Sequence, residues 1–235
     1  MNRLAIFDCD GTLVDSQANI CLAMEECFLR AGLAAPPRER TRLVVGLSLV
    51  EAMRAMLPEA EADLHCALAE DYKIVFHGLR GRGLVEEPLY EGIAELLDAL
   101  EAGGWLLAIA TGKSDRGLAF CLERHGLARR FVSLQTADRH PSKPHPSMVA
   151  QALAEAGAAP ALSMMIGDTS YDMAMARAAG VRAIGAGWGY HDEQALCAAG
   201  ADCVALHPSD IPTLLEAFAW HNRTMTISGA TASSS

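Results

Sequence analysis

The chain has no apolar run long enough to cross a membrane. Its apolar stretches are short and broken by charge, and the first of them, residues 4–7, ends at Asp8. A transmembrane helix needs about 20 apolar residues, and the apolar core of a signal peptide needs about 7 to 15. The sequence therefore predicts a soluble, cytoplasmic protein with no membrane partner.

The cysteines form no C-x-x-C pair, and the eight histidines show neither H-E-x-x-H nor another metal-binding spacing. An odd number of cysteines cannot be closed completely by disulfides, so reduced thiols in a cytosol are the simpler interpretation. Zinc sites built on close Cys or His pairs are also disfavoured. The seven cysteines are Cys9, Cys21, Cys27, Cys66, Cys121, Cys197 and Cys203.

Positive charge is scarce. The chain has 19 Lys and Arg against 29 Asp and Glu, and a net charge of -10. Binding of a nucleic acid through a broad surface depends on clustered basic residues, so a nucleic-acid partner is disfavoured. An anionic substrate would need local positive charge, supplied by a metal ion and a few placed cations.

Short apolar runs alternate with amphipathic segments along most of the chain. This pattern predicts an α/β fold with a doubly wound, Rossmann-like parallel sheet. The predicted strands are residues 4–7, 106–110, 131–134, 164–166, 181–184 and, more weakly, 202–205. The predicted helices that alternate with them are residues 90–102, 115–125, 147–156, 171–179, 193–199 and 209–220.

Residues 17–85 break this rhythm, because three segments there have a helical pattern with no convincing strand between them. These segments are residues 18–31, 47–56 and 60–76, and the glycine-rich residues 78–83 predict a flexible turn. We therefore expect a helical cap at 17–85, inserted into a catalytic core formed by 1–16 and 86–223. The small, polar residues 224–235 predict a disordered tail.

Two carboxylates follow the first predicted strand directly. Asp8 and Asp10 are two residues apart, and Gly11 permits the sharp turn after them. At that spacing both side chains can reach one site beyond the carboxyl end of the strand, where open α/β sheets bind ligands. Alone, the segment is equally well read as a polar turn. As a pair, the carboxylates suggest a divalent metal, or a nucleophile with an acid/base partner.

Three further polar clusters follow apolar runs in the same way. They are Thr111-Gly112-Lys113, then Lys143-Pro144, and then the segment from Gly167 to Asp172. A nucleotide P-loop at Gly112 is rejected, because the glycine required five residues earlier is Leu107. All of these clusters are expected at one rim of the sheet.

In this order, the four blocks resemble the haloacid-dehalogenase-like phosphohydrolase superfamily, in the branch with a helical cap after the first motif. The most specific matches are Asp-Cys-Asp-Gly-Thr-Leu-Val-Asp-Ser at residues 8–16 and Gly-Asp-Thr-x-x-Asp at residues 167–172. The resemblance covers residues 4–220 and implies a Mg²⁺-dependent phosphatase that forms an aspartyl-phosphate.

The resemblance also implies the roles of the acidic residues. Asp8 is expected to be the nucleophile, and Asp10 the general acid and then the general base. The carboxylates of Asp8 and Asp168 and the main-chain carbonyl of Asp10 are expected to hold Mg²⁺, which prefers hard oxygen ligands.

The remaining roles implied by the resemblance concern the phosphoryl group. Thr111, through its hydroxyl, and Gly112, through its N–H, are expected to bind phosphate oxygens, and Lys143 to neutralise charge. Asp172 is expected to orient the metal ligands or Lys143. Lys113, despite its neighbours, is expected to face solvent.

The segment 185–190, with Trp188-Gly189-Tyr190, is similar to the phosphoglycolate-phosphatase group, which implies a small phosphorylated metabolite such as 2-phosphoglycolate. A β-phosphoglucomutase-like phosphotransferase is the nearest alternative, because it shares the first motif. A phospho-accepting signalling or binding protein is the alternative from another class, but it leaves the long insertion unexplained. A dehalogenase would need neither Asp10 nor Asp168. The sequence does not indicate an oligomeric state.

Overall fold

A six-stranded parallel sheet with the strand order β3-β2-β1-β4-β5-β6 forms the centre of the molecule. The computed structural model describes residues 2–218. The order reverses between β1 and β4, which is the Rossmann arrangement and confirms the predicted doubly wound sheet. The strands are β1 (Asn2–Phe7), β2 (Trp105–Thr111), β3 (Phe131–Thr136), β4 (Ala158–Gly167), β5 (Arg182–Ala186) and β6 (Cys203–Ala205).

Helices cover both faces of the sheet, which explains why the central strands β1 and β2 have no polar face. In β1, Ala5 and Phe7 belong to one apolar cluster, and Leu4 and Ile6 belong to the other. Because side chains alternate along a strand, each cluster lies on one face. The helices of the sheet layers are α5 (Ile93–Ala102), α6 (Asp115–Arg124), α7 (Ser147–Ala156), α8 (Ser170–Ala178) and α9 (Glu193–Ala199).

These helices agree with the predicted ones to within three residues at each end. The last predicted helix differs, because a 3₁₀ turn at Pro208–Asp210 precedes the helical residues 211–218, and residues 219 and 220 lie outside the described part. Within residues 2–218, no helix has the length and apolarity that a bilayer span requires.

The insertion after β1 is helical and has its own apolar cluster. Buried side chains from its helices, among them Met24, Met53 and Leu68, pack together separately from the two sheet clusters. Its helices are α1 (Gln17–Arg30), α2 (Arg38–Arg42), α3 (Leu49–Met56) and α4 (Ala62–Gly81). The architecture of a core with a helical cap is therefore confirmed. The boundaries 17–85, 1–16 and 86–223 stay a prediction, and the expected disordered tail at 224–235 lies outside the described residues.

The sequence interpretation was wrong at two places in the insertion. It missed the short helix α2, and it assigned a flexible turn to residues 78–83, where α4 continues through Gly81. Leu79 is 1% exposed in the apolar cluster of the insertion. Burial of that side chain stabilises the helix by more than the roughly 1 kcal/mol that a helical glycine costs.

Candidate active site

The predicted polar clusters meet at the carboxyl ends of β1, β2 and β4, which are adjacent strands. Asp8 follows β1, Thr111 ends β2, and Asp168 follows β4. Lys143 arrives from the loop between β3 and α7, and its Nζ lies 2.9 Å from Oδ2 of Asp8 and 2.6 Å from Oδ1 of Asp172. The structure thus brings together residues that are as much as 164 positions apart in the chain.

Three buried carboxylates form the acidic part of this cluster. Asp8, Asp168 and Asp172 each offer an oxygen that lies within 4.8 Å of the other two. Burial raises the pKa of Asp8 to about 7, with Asp172 and Asp10 adding to the effect and Lys143 opposing it. Burial, followed by the charge of Asp8, raises the pKa of Asp168 well above its usual range. Because Lys143 supplies only one positive charge to three carboxylates, the cluster could bind a metal ion.

The hydrogen bonds separate Asp172 from the other acids. Lys143 contacts its Oδ1, while the N–H and hydroxyl of Thr169 both donate to its Oδ2, at 3.1 and 2.6 Å. Each oxygen of Asp168 accepts one neutral donor, the hydroxyl of Thr12 or the N–H of Tyr190. Both oxygens of Asp172 are therefore engaged, one by Lys143 and one by Thr169 at the start of α8. Asp168 retains more capacity to bind a cation.

The main-chain carbonyl of Asp10 is free for a further contact. Within residues 2–218 it accepts no hydrogen bond. A carbonyl oxygen at this position, beside two carboxylates, completes the kind of all-oxygen donor set that Mg²⁺ prefers.

Two glycines let the backbone approach Asp168 closely. Gly11 has φ +81°, and a Cβ built there would lie 2.1 Å from Oδ2 of Asp168. A Cβ built on Gly189 would lie 2.1 Å from the Asp168 Cβ. The turn predicted at Gly11 is thus present. The role of Gly189 was missed, because its contact with Asp168 depends on how β5 and β4 pair and not on a local pattern.

Lys113 does not face solvent, and that expectation was wrong. Its side chain is 9% exposed, and its Nζ lies 2.7 Å from Oδ1 of Asp10 and 2.6 Å from Oε1 of Glu87. Burial lowers the pKa of Lys113, but the surrounding negative charges, Asp10 foremost, raise it further and keep the amine protonated. Ser16 donates a second hydrogen bond to Asp10. The chain therefore positions the Asp10 carboxylate from two sides.

Glu87 is the partner that the sequence did not reveal. Its side chain is 1% exposed and contacts both Lys113 and Arg80, the latter at 3.3 Å. Glu87 comes from the segment that returns from the insertion to the core, where no motif indicates a buried acid. It links α4 of the insertion to the loop after β2.

The insertion closes on the loop that contains Gly112. A Cβ on Gly112 would lie 2.7 Å from the carbonyl oxygen of Gly46 and 2.8 Å from that of Leu47. Nearby, the N–H of Ser48 donates to the Ser142 hydroxyl at 2.8 Å. Thr111, 1% exposed, accepts a hydrogen bond from the N–H of Lys113. Thr111 and Gly112 therefore line a confined space above Asp8.

Residues 5–186 match the profile of the family described as haloacid dehalogenase-like hydrolase. A probable phosphatase, IndB, of Dickeya dadantii is 36% identical over 204 residues, which are 85% of this chain and 87% of that protein. A phosphoglycolate phosphatase of Agrobacterium fabrum is 33% identical over 201 residues, which are 82% of this chain and 83% of that protein.

A tyrosine-protein kinase, PtkA, of Mycobacterium tuberculosis is 32% identical over 190 residues, which are 80% of this chain. The match spans only 63% of the length of that kinase. Among solved structures, a predicted phosphatase from Clostridium acetobutylicum superposes with a TM-score of 0.82 at 23% identity, over 92% of this chain and 99% of that one. This last likeness concerns the fold.

Proposed function

Because the chain belongs to the haloacid dehalogenase-like hydrolase family, we propose that this phosphatase hydrolyses a small phosphorylated metabolite through an aspartyl-phosphate on Asp8. The observation that supports this most directly is the buried contact of Lys143 with Asp8, at 2.9 Å, beside Asp168. A carboxylate oxygen beside a fixed positive charge at this rim supports the docking of an anionic phosphoryl group there.

The first half-reaction transfers the phosphoryl group to the protein. An oxygen of Asp8 attacks phosphorus, the bond from phosphorus to the ester oxygen breaks, and protonated Asp10 gives its proton to the leaving alcohol. Lys143 offsets the charge on Asp8 and the phosphoryl oxygens. The hydroxyl of Thr111 and the N–H of Gly112 donate hydrogen bonds to those oxygens and orient the group.

The second half-reaction returns the enzyme to its starting state. The Asp10 carboxylate, held by Lys113 and Ser16, removes a proton from water, which attacks the phosphorus of the acyl phosphate. The bond from Asp8 to phosphorus breaks, and inorganic phosphate leaves. The close contact of the insertion with Gly112 covers one side of the site.

We propose Mg²⁺ as the cofactor, held by the carboxylates of Asp8 and Asp168 and the main-chain carbonyl of Asp10. The raised pKa values of the two acids and the free Asp10 carbonyl support a hard cation at this point. When bound, the ion neutralises charge on the nucleophile and on the transferring group. Asp172 acts as a positioning residue through Lys143. A cytoplasmic location fits the seven unpaired cysteines.

The names of the relatives suggest 2-phosphoglycolate as the first ester to test. The direct experiment is to measure phosphate release from a panel of phosphomonoesters with and without Mg²⁺, and to trap phosphorylated protein during turnover. Release that depends on Mg²⁺, together with label on Asp8, is the expected result. The absence of release from every ester would refute the proposal.

A phosphotransferase is the second candidate, because the kinase PtkA is among the relatives. It would pass the phosphoryl group from Asp8 to a second alcohol and not to water. Product analysis separates the two, since a hydrolase yields one inorganic phosphate for each ester consumed, even when a second alcohol is present.

Removing the Asp168 carboxylate is expected to weaken the metal site more than the fold. In Asp168→Asn, the Mg²⁺ concentration for half-maximal activity should rise at least about tenfold, because one anionic ligand is lost. Titration of activity and of the heat of Mg²⁺ binding measures this. The control is Asp202→Asn, whose carboxylate accepts from the N–H of Ala183 far from the site. An unchanged Mg²⁺ titration would remove Asp168 from the ligand set.

A methyl group at Gly112 is expected to push the insertion away from the loop that follows β2. In Gly112→Ala, kcat/KM should fall at least about tenfold, because the new Cβ would meet two carbonyl oxygens of the insertion at under 3 Å. The matched control is Gly78→Ala in α4, where a Cβ meets nothing within 4 Å. That variant should retain full activity and gain stability. Equal kinetics for the two variants would contradict the assigned contact.

A further inference from the structure

A cavity of about 370 Å³ opens above the proposed nucleophile. Its phosphate end is formed by Asp8, Asp10, Thr111 and Gly112, and the rest of its wall comes largely from the insertion. Sites that enclose a small molecule usually measure about 300–1,000 Å³. The space is therefore much larger than a phosphoryl group with a two-carbon alcohol would fill.

The wall contributed by the insertion is predominantly apolar. Tyr72 and Phe76 on α4 stack with their ring centroids 5.8 Å apart and an interplanar angle of 28°. Val44 and Val45 are 7% and 8% exposed. The apolar side chains used in this argument, called the apolar wall, are Met24, Val44, Val45, Leu49, Tyr72 and Phe76.

The cations that line the cavity are nearly all paired with carboxylates of the chain. Lys113 is held between Asp10 and Glu87, and Arg80 also contacts Glu87. Lys73 pairs with Glu70 at 2.7 Å. Arg116 also lines the cavity. Within the described chain it forms no such ion pair, and it is solvent-exposed.

A second anionic group on the substrate would therefore have to compete with Glu87 for Arg80, whose buried Nε has no hydrogen-bond partner within the described chain. A carboxylate next to the phosphate would meet Asp10, the acidic side chain of the cavity wall that contacts Lys113. A buried charge without a partner is costly, whereas an apolar group gains free energy on leaving water for the apolar wall.

We propose that this site selects phosphomonoesters of uncharged, aromatic alcohols, with the ring lying against Tyr72 and Phe76. This inference rests on the proposed phosphatase function and narrows it, because it ranks such esters above the carboxylate-bearing 2-phosphoglycolate. The Tyr72 hydroxyl makes no hydrogen bond within residues 2–218, so it is available to one polar substituent of the alcohol.

The test compares esters of similar intrinsic reactivity on the full chain with Mg²⁺. Ethyl, butyl and 2-phenylethyl phosphate all release a primary alcohol, so differences in rate report contacts made by the alcohol. We expect kcat/KM for 2-phenylethyl phosphate to exceed that for ethyl phosphate at least about 30-fold, because the ring is buried against the apolar wall. 2-Phosphoglycolate should be no better than ethyl phosphate.

Variants of the apolar wall test whether the preference for the aromatic ester comes from contacts with that wall. Phe76→Ala should lower kcat/KM for 2-phenylethyl phosphate at least about tenfold, mainly through KM, and leave ethyl phosphate within about threefold. The matched control is Ile74→Ala, on the same helix but 57% exposed, which should leave both esters unchanged. If Phe76→Ala fails to fold, Val45→Thr makes the wall polar at nearly constant volume and should act in the same direction.

The outcomes separate the two proposals. Release of phosphate from no ester overturns both the phosphatase function and this inference. Equal kcat/KM for ethyl and 2-phenylethyl phosphate, or a preference for 2-phosphoglycolate, overturns this inference and leaves the phosphatase in place. A preference for the aromatic ester that Phe76→Ala and Val45→Thr both leave intact also overturns it.

Discussion

Asp8→Asn is expected to lower kcat for phosphate release by at least about 10⁴, which corresponds to about 5.4 kcal/mol of transition-state stabilisation. An amide oxygen is a poor nucleophile toward phosphorus, so the covalent route is closed. Lys143 and Asp168 keep their places but have no reacting oxygen between them. Quenched-flow measurement of phosphate and of phosphorylated protein tests both half-reactions.

The same substitution should leave the fold intact. Burial raises the pKa of Asp8 to about 7, above its ordinary value of 3.8. For an acid, a pKa raised by folding means that the ionised form opposes folding at neutral pH, so replacing it with a neutral amide relieves part of that cost. In urea unfolding, Asp8→Asn should therefore lose at most about 1 kcal/mol of the wild-type free energy of unfolding.

The control for Asp8→Asn is Asp98→Asn. The Asp98 side chain is 73% exposed and pairs with Arg130 at the surface, so its loss should change neither kcat nor stability appreciably. Turnover of Asp8→Asn within about tenfold of wild type, a loss below about 1.4 kcal/mol, would show that Asp8 is not the nucleophile.

Lys143→Met is expected to cause the largest combined loss of activity and stability. Lys143 is 0% exposed at its side chain and contacts Asp8 and Asp172, which are themselves almost fully buried. Burial lowers its pKa, but the two acids outweigh burial and raise it above its usual range, so the amine is charged. Methionine has a similar volume without the charge. Leaving the acids uncompensated should cost about 3–5 kcal/mol in the free energy of unfolding.

Lys73→Met provides the matched comparison. Lys73 also contacts a carboxylate, that of Glu70 at 2.7 Å, but the two side chains are 49% and 69% exposed. A solvated pair contributes about 0–1 kcal/mol, so this variant should unfold within about 1 kcal/mol of wild type. Equal losses for Lys143→Met and Lys73→Met would contradict the role of burial.

A double variant tests whether the loss in Lys143→Met is electrostatic. Adding Asp172→Asn removes one of the uncompensated charges and should recover at least about 1 kcal/mol of the lost stability, because the two residues are in direct contact. Losses that simply add would instead indicate that the damage comes from packing. Denaturant unfolding of the full set in Mg²⁺-free buffer gives these differences directly.

Local patterns in the sequence were sufficient to predict the sheet and a set of polar residues that meet at its rim. Alternation of apolar runs with helical segments predicted the six strands, because buried parallel strands must be apolar on both faces. The polar residues that end those runs were expected at one rim, and Asp8, Lys143, Asp168 and Asp172 do meet there.

Contacts that depend on the insertion were not predictable in this way. Lys113 was expected to face solvent, yet its amine contacts the buried carboxylate of Glu87, a residue with no motif around it. Residues 78–83 were expected to form a turn, yet burial of Leu79 and the pairing of Arg80 with Glu87 keep Gly78–Gly81 helical. In both cases a tertiary contact outweighs the local preference.

The sequence by itself determined the order of strands and helices and the helical insertion, and it singled out the proposed reactive side chains, because these follow from periodicity and from short motifs. Only the tertiary structure decided that Lys113 contacts both Asp10 and Glu87 and that Arg80 also contacts Glu87. It also decided that the apolar wall and the phosphate end line the same cavity. Burial is a property of the assembled chain. It sets both the charge balance and the shape of the site, and no single segment carries that information.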